Sequence, residues 1–577
     1  MTRSCPVWFL LMVAVSSVVQ ASAAPATAER RMIPAFPRAE GFGAYAMGGR
    51  GGKVMVVTNL RDYAATDEPI PGSFRAAVTA EGPRIVVFAV SGLIELKEDV
   101  KVTTPYLTLA GQTAPGDGVC LKGGALCITN THDVVVRQLR YRRGDENPRD
   151  GDSILVEWSQ DVIFDHCSAS WSIDETASFS GLGLKNVTVQ WCMLTESLNN
   201  SHHKKGPNGF GSVLSSDNGG VTVHHTLYAH NNSHNPRFAG QGRGPGLLAD
   251  FRNNVIYNWG TRVGDTGESL IRVNYVNNYL KPGPSTDANA HYAFLAFGPY
   301  NHFFLSGNIF AGWEAATKDN SLLVNFPPRV LAWSEADKKA VLATEPFLVP
   351  EVKTDSADGL LKKVLAGAGA TLPKRDAVDA RIAEEVANGT GRIIDSQDQV
   401  GGWPQYATAE APKDSDQDGM PDEWEIKNGL NPKDAADAAF DNDEDGYTSI
   451  EEYINKTPPQ DDEENKMVLP PTIKPDDGTM FDKTATVRIM PNASRCTIRY
   501  TTDGSEPTAS SPVYARPFTI DKTTVVKARA FKRDLESIRA YATISKIAGH
   551  EGENPSATQR ATTGPKASAS APAEGKP

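Results

Sequence analysis

Short segments rich in Val, Ile or Phe recur along the middle of the chain, and each of them runs into polar residues. The segments are 162–167 (VIFDHC), 187–192 (VTVQWC), 221–226 (VTVHHT), 250–255 (DFRNNV), 275–279 (YVNNY) and 305–309 (LSGNI). When they are aligned on His166, Trp191, His225, Asn254, Asn278 and Asn308, the spacings are 25, 34, 29, 24 and 30 residues. Such periods are typical of a solenoid, whereas the strands of a β-sandwich recur every ~8–12 residues. The pattern therefore predicts an all-β, parallel β-solenoid.

Equivalent positions in a solenoid stack into ladders about 4.8 Å apart. We expect Asn254, Asn278 and Asn308 to form such a ladder at a turn, where their side chains bond to one another and to bent backbone. Cys167 and Cys192 fall on one ladder, and either a disulfide or two buried free thiols fits that placement.

Beyond about Ser334 the periodicity changes. The spacing predicts a helix over 376–387, then coil over 389–406, both packed back on a solenoid domain that spans 33–405. Residues 467–547 alternate between apolar and polar positions, which predicts a small C-terminal β-sandwich. The Ala-, Ser- and Pro-rich segment 549–577 has the composition of a disordered tail.

Between these regions, residues 412–460 carry two twelve-residue acidic loops joined by a predicted helix. The predicted ligands are Asp414, Asp416, Asp418, Asp422 and Glu425 in the first loop, and Asp441, Asp443, Asp445 and Glu452 in the second. Acids at positions 1, 3 and 5, Gly at 6 and Glu at 12 meet the demand of calcium for many oxygen ligands around a sharp turn. The alternative is an acidic, solvated linker. The pattern favours a helical calcium-loop segment with a structural role.

Residues 1–23 have the pattern of a secretory signal peptide, with Arg3, an apolar run over 7–19 and an A-x-A cleavage site at 21–23. That run is too short to span a bilayer, and no later segment is apolar enough, so we expect a secreted or periplasmic protein without a membrane span. Five cysteines remain after cleavage, an odd number that leaves the pairing of Cys120, Cys127, Cys167 and Cys192 open. The net charge of −12 argues against nonspecific nucleic-acid binding.

Residues from about 40 to 405 resemble family 1 of the polysaccharide lyases, the pectate lyase family. The matching stretches are 41–43 (GFG), 48–52 (GGRGG), 57–60 (VTNL), 92–94 (GLI), 110–116 (AGQTAPG), 164–168 (FDHCS), 205–206 (KG) and 235–237 (NPR). The resemblance implies a right-handed parallel β-helix, calcium at the cleft and β-elimination of an α-1,4-linked galacturonan. Residues 412–460 are similar to EF-hand repeats, and 467–547 to immunoglobulin-like domains of secreted glycosidases.

Four acids are candidate ligands for calcium at the cleft. Asp150 and Asp152 are two residues apart at a strand entry and so share a face, and Asp174 and Glu175 follow about one coil later. A cation on a uronate carboxylate stabilises the charge that develops when the neighbouring C5 proton is removed. The resemblance favours Asp152 and Glu175 as ligands, and a solvated turn is the alternative for any one acid alone.

Three basic residues are candidates for the substrate. Lys205 stands at the position of the family's substrate-binding lysine and Arg237 at that of its motif arginine, so both are expected to hold uronate carboxylates and to support catalysis. Arg142, with Arg140 and Arg143, extends this basic wall, or else belongs to a strand with alternating exposed arginines. The pair Asp165–His166 is expected to stabilise a coil turn.

His234 departs from the family pattern, because the family has arginine, its catalytic base, two residues before this proline. Histidine titrates near neutrality and can serve as an ordinary base. Three interpretations remain open: His234 is the base, another residue is the base with an altered substrate, or catalysis is weakened or lost.

We therefore expect a monomeric lyase that requires calcium and acts on pectate or a related uronan. A β-helical glycoside hydrolase and a non-catalytic polysaccharide-binding solenoid are the alternatives.

Overall fold

The computed structural model describes residues 33–147, 149–290, 292–327, 332–443, 445–456, 468–492, 496–532 and 535–547. The signal peptide predicted over 1–23 and the tail predicted over 549–577 lie outside these residues. Three parallel sheets wind around one core between Lys53 and Asn325, which confirms the predicted parallel β-helix. No helix in the described part of the chain has the length and apolar character of a membrane span.

After the first strand, Lys53–Val57, each coil contributes one strand to each of the sheets, here named sheets 1, 2 and 3. Sheet 1 contains Lys53–Val57, Arg84–Phe88, Leu107–Ala110, His132–Arg137, Gln160–Asp165, Lys185–Gln190, Gly220–His224, Leu247–Arg252, Ile271–Val276 and Asn301–Ser306. Sheet 2 contains Gly92–Glu95, Val119–Lys122, Arg140–Arg142, Ser168–Ser170, Met193–Thr195, Leu227–Ala229, Val255–Tyr257, Tyr279–Lys281 and Ile309–Phe310. Sheet 3 contains Val100–Val102, Leu126–Thr129, Ile154–Glu157, Glu175–Ser180, Phe210–Ser216, Arg237–Gly240, Gly264–Thr266, Phe294–Leu295 and Val324–Asn325.

Ladders of apolar side chains fill the interior. One ladder runs through sheet 1 in strict register, and all of its members are buried: Leu107, Val134, Val162, Val187, Val221, Ala249, Val273 and Phe303. A coil on its own cannot cover its inward side chains, so the stacking of neighbouring coils supplies the core.

The predicted asparagine ladder is confirmed. The backbone N–H of Asn254 donates to Asn278 Oδ1 and that of Asn278 to Asn308 Oδ1, each over 2.9 Å. Cys167 and Cys192 occupy earlier rungs of the same ladder as buried free thiols, and Thr226 lies between Cys192 and Asn254. The alignment that started at His166, however, slips by one residue. His166, Trp191 and His225 align with Asn253 and Asn277, because all of these positions take the left-handed conformation at the turn.

Helices cover part of the solenoid. Helical segments other than those of 412–460 are Phe74–Val78, Gly111–Thr113, Glu314–Lys318, Asn320–Leu323, Glu335–Val341, Leu360–Gly367, Ala377–Asn388 and Gln397–Val400. The helix Ala377–Asn388 matches the prediction for 376–387, and it packs Val378, Ile382 and Val386 against sheet 2.

The C-terminal region consists of two facing sheets. One contains Thr472–Lys474, Ala485–Met490 and Phe518–Ile520; the other contains Met480–Phe481, Thr497–Thr501, Thr524–Lys532, Leu535–Glu536 and Ala540–Lys546. Val487, Val526 and Ile544 are fully buried between them. This arrangement is the predicted β-sandwich.

Candidate active site

The candidate site lies where successive strands of sheet 3 begin. Glu175 and Phe210 are register partners at the first positions of neighbouring strands, and Arg237 pairs with Asp265 on later coils. Asp152 lies just before the strand of the preceding coil. Because parallel strands stack about 4.8 Å apart, these side chains follow one edge of the solenoid.

Three carboxylates converge at this edge. Asp152, Asp174 and Glu175 each offer an oxygen, and these oxygens lie within 4.8 Å of one another. Burial and then the charge of Glu175 raise the pKa of Asp152 well above its ordinary value, and the same causes raise the pKa of Asp174 to about 7. Burial opposes ionisation of Glu175 as well, but the hydrogen bond and charge of His234 lower its pKa overall. Converging, crowded carboxylates fit the ligand demand of calcium.

The structure does not bring Asp150 into this group. Its carboxylate lies 3.0 Å from Lys204 Nζ, and that hydrogen bond lowers the pKa of Asp150. His203 lies between the acids, with Nε2 3.6 Å from Asp174 Oδ2. Asp150 therefore orders the basic loop rather than completing the three-carboxylate group.

His234 contacts the acidic group directly. Its Nδ1 lies 3.2 Å from Glu175 Oε1, and its ring stacks on Phe210 with centroids 4.0 Å apart. Since a carboxylate only accepts, Nδ1 carries the proton of this hydrogen bond, and Nε2 of a neutral imidazole is then the basic atom. Nε2 lies 3.9 Å from Asp265 Oδ1, and the side chain is 13 % exposed. The ring is held on two sides, and its basic nitrogen stays at the cleft surface.

Asp265 forms ion pairs with two arginines of the site. It binds Arg237 Nη1 at 2.5 Å and Arg262 Nη1 at 3.2 Å, and both arginine side chains remain about one-third exposed. Sequence reasoning placed Arg237 in the site but missed Phe210, Arg262 and Asp265. The sequence feature that could have identified Asp265 is its separation of 28 residues from Arg237, which is the length of one coil.

Lys205 is exposed on the loop that precedes the strand Phe210–Ser216. Its positive charge is among the interactions that lower the pKa of Asp174, against the larger effect of burial. The ammonium group therefore lies close to the acidic group on a surface that a polymer can reach.

Arg142 requires a correction. Its side chain is fully buried beneath the helix Ala377–Asn388 and binds Asp376 Oδ2 at 2.9 Å and Asp379 Oδ1 at 2.8 Å. Arg140 and Arg143 are also buried, so neither the basic wall nor the exposed arginine strand exists. The interpretation of Arg142 as substrate-binding is wrong, because a helix later in the chain covers this strand and buries the side chain. The local sequence pattern does not reveal that contact.

In 412–460 the first acidic loop leads into the helix Asp422–Asn428 and the second into the helix Ser449–Asn455, and the short 3₁₀ helix Asp437–Ala439 lies between the two units in sequence. In the first loop, oxygens of Asp414, Asp416 and Asp418 converge, and those of Asp418, Glu425 and Asp437 form a second, overlapping group. Burial, followed by neighbouring acids, raises the pKa of Glu425 to about 8. The residues present fit a hard cation.

Asp422 does not take part in this group, which corrects its prediction as a ligand. Its carboxylate accepts hydrogen bonds from Ser415 N at 2.7 Å and Lys413 Nζ at 2.6 Å. Asp437, twelve residues beyond Glu425, lies in the group instead. Because no loop motif includes Asp437, its place in the group could not be predicted from the sequence.

In the second loop Asp441, Asp443 and Asp445 converge within 4.8 Å. Burial and then the charges of Asp443 and Asp445 raise the pKa of Glu452 to about 9. All four predicted residues of this loop are therefore near one another.

Comparison with known proteins identifies the family of the chain. "Probable pectate lyase C" of Emericella nidulans is 34% identical over 433 residues, which cover 74% of this chain and 93% of that protein. The chain belongs to the pectate lyase family. "Probable pectate lyase C" of Aspergillus flavus is 34% identical over 438 residues, 74% of this chain and 94% of its own. The protein is thus a pectate lyase-like lyase.

Three further similarities are to two solved structures and to a C-terminal domain family. The solved structure of Jun a 1, the major allergen from cedar pollen, is 18% identical and covers 58% of this chain and 93% of its own, with a TM-score of 0.43. Pectate lyase C from Erwinia chrysanthemi is 14% identical and covers 59% and 99%, with a TM-score of 0.34. Residues 475–543 match the chitobiase/beta-hexosaminidase C-terminal domain, which agrees with the resemblance to glycosidase domains.

Proposed function

We propose that this pectate lyase-like protein is an exported, calcium-dependent enzyme that cleaves polygalacturonate, or a related uronan, by β-elimination. The observation that carries the proposal is the convergence of Asp152, Asp174 and Glu175 within 4.8 Å, directly beside His234. The predicted signal peptide supports export.

The proposed roles of the cleft residues follow from their charges. Asp152, Asp174 and Glu175 would hold calcium, which supplies charge stabilisation to the uronate carboxylate when bound. Arg237 presents part of its guanidinium to the cleft while Asp265 fixes the rest, and Lys205 adds an exposed ammonium. Both cations suit uronate carboxylates, with bidentate geometry possible only for the arginine.

His234 is the proposed base. Nε2 takes the C5 proton, the electron pair forms the C4–C5 double bond, and the C4–O bond breaks to release the preceding sugar, whose oxygen acquires a proton from solvent. Glu175 accepts a hydrogen bond from Nδ1–H throughout, which holds the orientation of the ring and keeps the Nδ1 proton in place.

The two acidic loops are proposed to bind calcium as well. The first would use Asp414, Asp416, Asp418, Glu425 and Asp437, and the second Asp441, Asp443, Asp445 and Glu452. Buried carboxylates of like charge with no cation among them are unfavourable, and a divalent ion relieves that repulsion.

The test is incubation of the full-length protein with polygalacturonate, with calcium and with chelator. Elimination leaves an unsaturated uronate that absorbs ultraviolet light, whereas hydrolysis yields new reducing ends without that absorbance. We expect absorbance to grow only with calcium. Reducing ends without absorbance, or binding without any turnover, would overturn the proposed reaction.

A further inference from the structure

The acidic group at the first loop, including Asp437, contains buried oxygens with no partner among the described residues. They are both carboxylate oxygens of Asp416 and of Glu425, Oδ2 of Asp418 and Oδ1 of Asp437. Glu425 is fully buried, Asp418 is 3 % exposed and Asp437 5 % exposed. Polar atoms withdrawn from water normally find a partner, and charged ones do so almost without exception. Oxygens of Asp418, Glu425 and Asp437 lie within 4.8 Å of one another, and Asp418 shares a second such group with Asp414 and Asp416, so a divalent cation is the partner that fits them.

Asp437 reaches this group from outside the twelve-residue loop. Its Oδ2 accepts a hydrogen bond from Asn431 N at 2.8 Å, which directs the unpartnered Oδ1 into the group. The ion would therefore join the loop to the 3₁₀ helix Asp437–Ala439 as well as to the helix Asp422–Asn428.

The residues next to these acids pack on the solenoid. Met420, Ala438 and Ile450 are buried against the outward side chains Ile85 and Val87 of sheet 1. Each lies one or two residues from a proposed calcium ligand: Met420 follows Asp418, Ala438 follows Asp437, and Ile450 precedes Glu452.

The close approach extends to the backbone. Gly419, the glycine at the sixth loop position, has a φ of +91°, and a Cβ there would lie 2.8 Å from Val54 Cγ1. At the edge of this contact, Arg50 Nε lies 2.9 Å from Glu451 Oε1. Ion binding and docking thus depend on the same short elements.

We infer that 412–456 is a calcium-dependent clamp that fastens to the outer face of the first coils of the solenoid. With the ion bound, Met420, Ala438 and Ile450 are held in one arrangement that matches sheet 1; without it, repulsion among the acids loosens that arrangement. The inference rests on the proposed calcium binding by the loops and is independent of the lyase reaction, whose site lies on sheet 3.

The experiment uses full-length protein in which every arm carries Asp152→Asn, so that calcium binding at the cleft is weakened and is the same in all arms. Calorimetric calcium titration follows chelator treatment. Asp437→Asn is expected to weaken binding at least ten-fold, whereas Asp422→Asn, the loop acid outside the group, stays within about two-fold. Equal effects of the two substitutions would overturn the assignment of Asp437.

Docking and calcium binding must affect each other equally, since a coupling free energy is reciprocal. Ile450→Ala, which removes a docking contact but no ligand, is expected to weaken calcium binding about five-fold or more. The matched control Ile498→Ala truncates a buried isoleucine of the C-terminal sandwich and leaves calcium affinity unchanged. Arg50→Gln, which opens no core, gives a second and smaller loss.

Hydrogen exchange supplies the structural readout. Removing calcium is expected to raise exchange at Lys53–Val57 and Arg84–Phe88 but not at Ile271–Val276. Calcium binding with unchanged exchange in the first strands, or unchanged affinity in both docking variants, would overturn the clamp. Absence of any calcium binding would overturn both the proposed loop sites and the clamp. The lyase proposal is tested separately, by the absorbance assay on protein with native Asp152.

Discussion

His234 Nδ1 lies 3.2 Å from Glu175 Oε1, although the two residues are 59 positions apart in the chain. The contact joins a proposed base to a proposed calcium ligand. A histidine that donates to a metal-binding carboxylate is held in one tautomer and one orientation. An arginine at this position would instead present several donors and no acceptor, so the substitution changes which chemistry the site can perform.

Replacing His234 tests its role as the base. His234→Ala is expected to lower kcat by about 100-fold or more with little change in KM, since a positioned base contributes to the transition state rather than to substrate binding. Initial rates of absorbance increase on polygalacturonate, with calcium in excess, measure both constants.

The control for that substitution is His202→Ala, because His202 is exposed on the same side of the solenoid and was not placed in the site. Full elimination activity in His234→Ala, together with loss of activity in Lys205→Ala and Arg237→Ala, would show that another group is the base.

The proposed calcium binding by Asp152, Asp174 and Glu175 is tested by measuring how activity depends on the calcium concentration. Asp152→Asn removes one of three converging carboxylates and is expected to raise the calcium concentration needed for half-maximal activity about ten-fold or more, with partial rescue at high calcium. The exposed Asp358→Asn carries the same charge change and should leave the calcium requirement as it was. An unchanged requirement in Asp152→Asn would remove this residue from the ligand set.

Sequence reasoning succeeded where a pattern repeats and failed where distant segments meet. The asparagine ladder and the order of the strands follow from periodicity, because each coil repeats the same packing requirement. The one-residue slip at His166 arose because turn residues in the left-handed conformation include His, Trp and Asn alike. The burial of Arg142 and the position of Asp437 depend on helices folded back over earlier strands, and no local spacing encodes that contact.

Stability should depend on pH in the calcium-free protein. Burial raises the pKa of Asp418 to about 7, of Glu425 to about 8 and of Glu452 to about 9. A carboxyl whose pKa is higher in the folded state binds more protons there, so its contribution to stability is present at low pH and is lost as the pH rises through the folded pKa.

Thermal unfolding with chelator, followed across roughly pH 5 to 9, is therefore expected to show a falling midpoint. Calcium keeps the same groups ionised and should make the unfolding midpoint depend less on pH. The difference between the midpoint with calcium and the midpoint with chelator should therefore widen as the pH rises. A chelated midpoint that rises over this range would contradict the crowding of these acids.

Replacing Arg142 tests whether this arginine stabilises the fold or binds the substrate. Arg142 is fully buried between Asp376 and Asp379, so Arg142→Ala would leave two buried carboxylates without their main cation. We expect a loss of about 3–5 kcal/mol in the free energy of unfolding, measured by chemical denaturation, while KM measured well below the unfolding temperature stays within about two-fold. Arg61→Ala, at an exposed arginine, should change neither quantity. A large rise in KM with unaltered stability would restore Arg142 to the substrate site and would require that the helix Ala377–Asn388 move aside when substrate binds.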